Sequence, residues 1–177
     1  MPKLIDNVRG RAIEEARRVL IEEGYAALTI RGIAQKLGIG LGTIYNYFPS
    51  KEYLAAGVML EDWQELTKEF ESAHAGAAAE TVIEDLFRMV HTFTLCYSPA
   101  WREYEQHGST RSMISRYHSI LIGQLASYIR AALPAERQEQ EPWLTDFLAE
   151  TVLRFGTDAG FSYEKIAPAI RKLLKEI

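Results

Sequence analysis

The stretch GIGLGTIYNYFPSKEYL at residues 38–54 gathers three glycines within five residues, then three aromatic residues within four, then Lys51. Glycine lets a backbone approach a neighbouring surface closely, and the free N–H groups at a helix N-terminus attract phosphate. The hydroxyl and amide side chains at positions 43–47 have the length to reach phosphate oxygens or base edges. Since Lys51 adds a cation beside them, the stretch is typical of a surface that contacts a polyanion.

Short helices must position these groups. Apolar residues recur at three- and four-residue steps in a first helix that stops at Gly24. Thr29 can cap a second helix that ends at Gly38, and a third helix ends at Phe48 because Pro49 follows it. Two short helices joined by a glycine-bearing turn predict a helix-turn-helix.

The remaining sequence predicts further helices. One long helix begins after Ser50 and continues to about residue 74. Other amphipathic stretches, with breaks at Ser98-Pro99, Gly108, Pro134 and Gly160, lie at about 80–97, 100–107, 110–132, 141–156 and 162–176. Because no stretch shows sustained period-two alternation, the predicted fold class is all-α.

Composition and charge limit the class of protein. The 177 residues are 47% hydrophobic with a net charge of -4, yet the residues through Lys51 carry +3 and the rest -7. This asymmetry indicates that one end of the chain contacts an anion. The single cysteine, Cys96, excludes an intramolecular disulfide framework. Without an apolar leader or a run of about 20 apolar residues, we expect a cytoplasmic protein with no membrane contact.

Residues 9–54, RGRAIEEARRVLIEEGYAALTIRGIAQKLGIGLGTIYNYFPSKEYL, resemble the DNA-binding domain of the tetracycline-repressor (TetR/AcrR) family of bacterial transcriptional regulators. The resemblance implies an N-terminal three-helix helix-turn-helix domain at residues 1–50. A larger helical-bundle domain for ligand binding and dimerisation would follow at residues 51–177. The chain departs from the family at Gly40, where Ser or Thr usually supplies a hydroxyl to phosphate.

The resemblance also implies which residues contact DNA. We infer that Tyr45 and Lys51 contact phosphates and that most of the others lie near bases. The DNA-binding set is Thr29, Arg31, Leu41, Thr43, Tyr45, Asn46, Tyr47 and Lys51. Alternatively, Tyr45 packs in the domain and Arg31 pairs with an acid on the first helix; Phe48 is assigned to the core. Five other cations are interpreted mainly as a solvated face that adds diffuse attraction, namely Arg9, Arg11, Arg17, Arg18 and Lys36.

For the C-terminal body, the resemblance implies a pocket lined by apolar and aromatic groups. The predicted ligand-binding residues are Trp63, Phe93, Tyr97 and Tyr117, with core packing as the alternative for each. The resemblance further implies a homodimer through the last two helices, with intramolecular packing as the alternative for part of their apolar surface. These helices carry Trp143, Leu144, Phe147, Leu148, Thr151, Val152, Phe155, Phe161, Ile166, Ile170, Leu173 and Leu174.

The resulting hypothesis is a homodimeric repressor that binds a palindromic double-stranded DNA operator and is released by a small, largely apolar effector. One alternative is a helix-turn-helix regulator controlled by a protein partner. Another is a helical enzyme with a vestigial DNA-binding motif. The sequence has no HExxH motif, no phosphate-cradling glycine loop after a strand and no nucleophile elbow, and its four histidines lack a short chelating spacing. We therefore expect no enzyme, cofactor or metal site.

Overall fold

A computed structural model describes residues 7–105 and 111–175, without the side chains at 98–105 and 111–117. These residues form helices and contain no strand, which confirms the all-α prediction. The helices are α1 (Val8–Glu22), α2 (Ile30–Leu37), α3 (Leu41–Tyr45), α4 (Lys51–Ala73), α5 (Ala79–Glu105), α6 (Arg111–Ala132), α7 (Ala135–Gln140), α8 (Leu144–Gly156) and α9 (Ala167–Lys175), with 3₁₀ turns at Tyr25–Ala27 and Tyr163–Lys165.

Backbone packing divides the chain into two compact units. Unit 1 contains the described residues up to Glu65 together with the end of α5 from Cys96 onward. Unit 2 contains Leu66–Leu95 together with α6, α7, α8 and α9. Both α4 and α5 therefore contribute residues to each unit. The functional boundary between residues 50 and 51 remains a prediction.

Local capping explains the short helices of unit 1. Asn7 caps α1 by accepting a hydrogen bond from the Gly10 amide, and Thr29 caps α2 by accepting one from Gly32. Gly38 ends α2 with a φ of 67°, a left-handed conformation that glycine adopts without strain. The predicted first and second helices are thereby confirmed, and the third helix is present but ends at Tyr45 instead of at Phe48.

The first turns of α4 complete the core of unit 1. Leu54 and Val58 are fully buried there. Gly57 faces the same core, because a Cβ at this position would lie 3.4 Å from the Phe48 ring and 3.6 Å from Ile13. The helix that begins with Lys51 is thus packed against the helices that carry the glycine turn.

Unit 2 is built around apolar faces of α5, α6 and α8. Leu125 and Ile129 of α6 are fully buried, as are Leu144 and Leu148 of α8. Gly156 permits close contact between α8 and α5, since a Cβ there would lie 2.8 Å from Val90 Cγ1. These faces account for part of the apolar surface that the sequence assigned to a dimer interface.

Two features of the helices differ from the sequence prediction. The predicted break at Ser98-Pro99 is wrong, because α5 continues from Ala79 to Glu105. An internal proline removes one hydrogen-bond donor and can kink a helix without ending it. The short helix α7 has no counterpart among the predicted amphipathic stretches. Its six residues, AERQEQ, include no buried side chain and so give no periodic signal.

Within the described ranges, no helix has the length and apolar composition to cross a membrane. Those residues also contain no group of three or more His, Cys, Asp or Glu side chains placed to hold a metal ion.

Candidate nucleic-acid interface

The short helix α3 is anchored to the core by one apolar residue within it and one just beyond it. Ile44 is completely buried and Phe48, just beyond the helix, is 4% exposed, which confirms the prediction that Phe48 belongs to the core. The intervening Tyr45 and Tyr47 are 48% and 49% exposed, so neither is a core residue. With Thr43 and Asn46 also exposed, α3 presents hydroxyl and amide groups on its outer face.

The approach to α3 leaves its N-terminus open. Gly40 is the N-cap residue and, lacking a side chain, makes no side-chain cap hydrogen bond. Its extended backbone, with φ -65° and ψ 139°, is accessible to any residue, so glycine is not required there for its conformation. The nearest atom to a Cβ at Gly40 would be Thr43 Oγ1 at 3.6 Å. Thr43 therefore offers the hydroxyl closest to the helix N-terminus.

The start of α2, the helix before α3 in the motif, carries two more residues that are predicted to contact DNA. The Gly32 amide donates to Thr29 Oγ1 at 3.0 Å, so that oxygen is used as a cap while the hydroxyl proton can still be donated. Arg31 is exposed and has no carboxylate within 4.0 Å among the described residues. The alternative in which Arg31 pairs with an acid of α1 is therefore wrong. Leu41, at the start of α3, is half-buried.

Lys51 is positioned by an aromatic ring. Its ammonium lies 4.1 Å from the centroid of the Tyr25 ring, a cation–π contact, and Tyr25 is itself 1% exposed. The Tyr25 hydroxyl donates to Glu52 Oε1 at 3.2 Å. Burial raises the pKa of Glu52, but hydrogen bonds from Ser50 and Tyr25 and the nearby Lys51 charge outweigh it, so the pKa is lowered. The sequence analysis missed this role of Tyr25 because the Gly24-Tyr25 pair gives no signal of its distant partner.

Most of the cations interpreted as a solvated face have exposed or half-buried side chains, and they also form ion pairs. The pairs are Arg9 with Glu61, Arg17 with Asp62, Arg18 with Glu15 and Glu22, and Lys36 with Glu15 and Glu23. Among residues 7–65, the cations without a carboxylate within 4.0 Å are Arg11, Arg31 and Lys51. Two of these three belong to the predicted DNA-binding set.

The four predicted ligand-binding aromatics are distributed over both units. Trp63 and Tyr97 belong to unit 1 and are 5% and 2% exposed. The Tyr97 hydroxyl donates to Asp62, and burial together with that carboxylate raises the Tyr97 pKa. Phe93 belongs to unit 2 and is half-buried, while the Tyr117 side chain lies outside the described residues. A ligand-binding role for these residues remains a prediction.

Comparison with known proteins identifies the helix-turn-helix. Residues 12–58 match the family model for bacterial regulatory proteins of the tetR family. Residues 12–58 therefore form a helix-turn-helix domain of the TetR family. The matched range contains α2 and α3, the turn between them and the start of α4. The TetR-family chain is accordingly a DNA-binding transcriptional regulator.

Named relatives agree with this assignment. The HTH-type transcriptional repressor KstR of Mycobacterium tuberculosis is 24% identical over 153 residues, which cover 80% of this chain and 70% of KstR. The HTH-type transcriptional regulator UidR of Escherichia coli is 26% identical over 84 residues, or 47% of this chain and 43% of UidR. The HTH-type transcriptional regulator Rv1816 of M. tuberculosis is 25% identical over 81 residues, or 46% of this chain and 35% of Rv1816. The matched regions thus span less than half of UidR and Rv1816.

Proposed function

We propose that this TetR-family regulator is a homodimeric repressor that binds a palindromic operator in double-stranded DNA and is released by a small, largely apolar effector. The observation that carries the proposal is the outer face of α3, where Thr43, Tyr45, Asn46 and Tyr47 are all exposed. Because its target is DNA, we place the protein in the bacterial cytoplasm. The similarity to KstR, which is a transcriptional repressor, favours repression of transcription as the role of this protein.

The proposed DNA contacts divide into two kinds. Lys51 and Tyr45 would contact phosphates, which fix the protein on the duplex without reading sequence. Arg31, Leu41, Thr43, Asn46 and Tyr47 would lie near base edges in the major groove, where hydrogen-bond patterns distinguish all four base pairs. Thr29 would lie beside them at the start of α2. The contact at the α3 N-terminus would come from Thr43 and backbone N–H groups, since Gly40 has no hydroxyl.

Exposed aromatic residues support dimerisation through the last two helices, α8 and α9. Trp143 and Phe147 are 52% and 49% exposed, and their rings pack edge to face with centroids 5.9 Å apart. Large exposed aromatics one helical turn apart are typical of an interface rather than of a solvated helix. A two-fold dimer places its recognition helices about 34 Å apart or somewhat more, which requires an inverted repeat in the operator.

Effector control would work through the helices shared by the two compact units. α4 begins with Lys51 in unit 1 and continues beyond Leu66 into unit 2, and α5 also belongs to both. An effector that binds one conformation of unit 2 in preference to another would shift the position of Lys51 through α4. A coupling free energy of about 1 to 3 kcal/mol would weaken operator binding about 5- to 150-fold.

Selection of bound sequences from a random DNA library tests the proposal. The wild-type protein should recover an inverted repeat at a fixed salt concentration, because affinity depends steeply on salt. Tyr45→Ala should bind the recovered repeat more weakly at the same salt concentration, because it removes a proposed phosphate contact. Tyr53→Ala is the matched control, since Tyr53 is a 60% exposed tyrosine outside the predicted set, and it should recover the same repeat.

Three outcomes would contradict the proposal. Recovery of a single, unrepeated site would argue against the two-fold dimer. Salt-sensitive binding without any preferred sequence would argue against specific reading by α3. Equal loss in Tyr45→Ala and Tyr53→Ala would show that the selection does not report on the predicted contact set.

A further inference from the structure

A histidine closes the turn between α4 and α5 in unit 2. His74 follows the last residue of α4, and its Nδ1 lies 2.9 Å from the backbone carbonyl oxygen of Phe70. Its Nε2 lies 2.9 Å from Oδ2 of Asp85, on α5. The imidazole also stacks on the Phe70 ring, with centroids 3.9 Å apart and an interplanar angle of 12°. Both ring nitrogens are thus directed at oxygen atoms.

The two oxygen partners determine how many protons the site must hold. A carbonyl oxygen can only accept, so Nδ1 must carry a proton to bond Phe70. The Asp85 carboxylate is also an acceptor, so Nε2 needs a second proton, which only the imidazolium has. Neutral His74 has a single ring proton, which either Nδ1 donates to the Phe70 carbonyl oxygen or Nε2 donates to Asp85, so one of the two bonds is lost. One dissociable proton therefore decides whether His74 bonds both oxygen atoms.

We propose that His74 is a proton-dependent latch, whose imidazolium bonds both the Phe70 carbonyl oxygen at the C-terminal end of α4 and Asp85 on α5, and whose neutral form gives up one of these two bonds. The proton is shared with solvent and needs no other reactant. The inference concerns a regulatory device in unit 2 and does not depend on the operator or effector proposed above.

The surroundings favour the charged form of the latch. The helix C-terminus of α4 carries a partial negative charge, which attracts a cation at His74. The ionisable groups near the imidazole are Asp85 from α5, Glu71 from α4 and Tyr128 from α6, whose hydroxyl donates to Glu71 at 3.0 Å. No lysine or arginine is among the described residues that line the adjacent cavity.

These groups determine the direction of the pH dependence. Burial lowers the pKa of His74, but the bonds to Asp85 and to the Phe70 carbonyl outweigh it, so the pKa is raised above the ordinary value of 6.5. A histidine with a raised folded-state pKa contributes stability that is fully present below the unfolded-state value. That contribution is lost as the pH rises through the folded-state pKa. The latch is therefore closed in mildly acidic solution and opens toward alkaline pH.

Opening the latch would loosen a small cavity. A cavity of about 170 Å³ lies beside the turn and is lined by His74, Phe70, Val82 and Tyr128, among others. The turn itself contains Gly76 with a φ of 76°, which sets its reversal of direction. Loss of either bond would leave the imidazole with one hydrogen bond and its stack on the Phe70 ring. The protonation state of one side chain thus controls how firmly α4 and α5 are joined.

Nuclear magnetic resonance of the imidazole nitrogens provides the first test. The full-length wild type should show a His74 titration midpoint above 6.5, with both ring nitrogens protonated below it. Asp85→Asn should lower that midpoint, because an amide can donate to the neutral Nε2 where the carboxylate cannot. His91 is the internal control, since its Nδ1 lies 3.2 Å from the Gly156 carbonyl oxygen and its ring signals should be unaffected by Asp85→Asn. A midpoint that stays the same in Asp85→Asn would overturn the proposal.

Thermal unfolding between pH 5.5 and pH 8.5 provides the second test. The midpoint temperature of the wild type should exceed that of His74→Gln at pH 5.5, and the difference should shrink at pH 8.5. A wild-type advantage over His74→Gln that is constant with pH would mean that the contact is structural and has no switching role.

Discussion

Lys51 and Arg31 are both cations of the proposed DNA surface, but they are held in different ways. The Lys51 ammonium lies over the Tyr25 ring, on a helix whose first turns are packed in the core. Arg31 is an exposed side chain near the start of α2, with no carboxylate within 4.0 Å among the described residues. Lys51 is therefore placed in advance as a point charge, whereas Arg31 is free to form a bidentate contact with a base.

Substitution by glutamine should separate these two roles. Lys51→Gln should weaken binding almost equally for all DNA sequences and reduce the slope of log affinity against log salt by about 1, as loss of one phosphate contact does. Arg31→Gln should instead cost about 1 to 3 kcal/mol on the selected operator and relax the preference at one position of each half-site. Titration of operator and scrambled duplexes at several salt concentrations measures both effects.

Arg18→Gln serves as the control for both variants, because Arg18 is already paired with Glu15 and Glu22 and should change neither the slope nor the sequence preference. If Arg18→Gln matched Lys51→Gln, the charge would act through the general field of the domain. The proposed contact between Lys51 and phosphate would then be wrong.

At this scale, sequence reasoning succeeded where the signal is local. The cap at Thr29 and the stop at Gly38 each involve residues within a few positions of one another. The contact of Tyr25 with Lys51 joins two segments separated by α2 and α3, so no periodicity or capping rule predicts it. The same is true of the ion pair of Arg17 with Asp62. The sequence analysis assigned Arg17 only to a solvated face.

At the scale of helices, the Asp62 carboxylate connects α1, α4 and α5 within unit 1. It belongs to α4, accepts from Nε of Arg17 on α1 at 2.7 Å and accepts from the Tyr97 hydroxyl on α5. Tyr97 is buried and Arg17 is only partly exposed. Loss of the carboxylate would remove the closest ion-pair partner of Arg17 and a hydrogen-bond acceptor of the buried Tyr97 hydroxyl.

We therefore expect Asp62→Ala to lower the free energy of unfolding by about 1 to 3 kcal/mol, the range for loss of a hydrogen-bond partner by buried or charged groups. Glu61→Ala is the comparison, since the adjacent carboxylate lies 2.6 Å from Arg9, whose side chain is 51% exposed, and 3.9 Å from Arg17, and its loss should cost at most about 1 kcal/mol. Urea unfolding followed by circular dichroism measures both. Equal losses for the two variants would show that burial of Tyr97 and Arg17 does not set the strength of this junction.

Element boundaries were predictable only where apolar periodicity and breakers agree. They agree for α4 and for α6, whose observed bounds lie close to the predicted ones. They disagree at Pro99, where α5 continues through a proline, and at α7, which has no apolar face to detect. Arg137 of α7 nevertheless donates to the Leu174 carbonyl oxygen at 2.9 Å and so caps α9, a role that only the folded chain reveals.

At the scale of the whole molecule, the burial of side chains on α8 shows which apolar residues are left exposed for a partner. Leu144, Leu148 and Val152 of α8 are buried within unit 2, so they cannot meet a second chain. Trp143 and Phe147 remain exposed on another side of the same helix. The sequence indicated an excess of apolar surface on α8 and α9, but only the packing of α8 against α6 separates the core face from the outer face.

Phe147→Glu should convert the proposed dimer into a monomer, because it places a charge in an apolar interface where desolvation is costly. Sedimentation equilibrium should give the wild type a mass of about twice the 20.1 kDa of one chain, and the variant a mass near the single value. Loss of the dimer in Phe147→Glu should also lower operator affinity, although each recognition helix stays intact. Leu60→Glu is the control, since Leu60 is a 42% exposed leucine of α4 in unit 1 and should leave the mass unchanged. A wild-type mass that persists in Phe147→Glu would place the dimer interface elsewhere and leave the exposed pair on α8 without a partner chain.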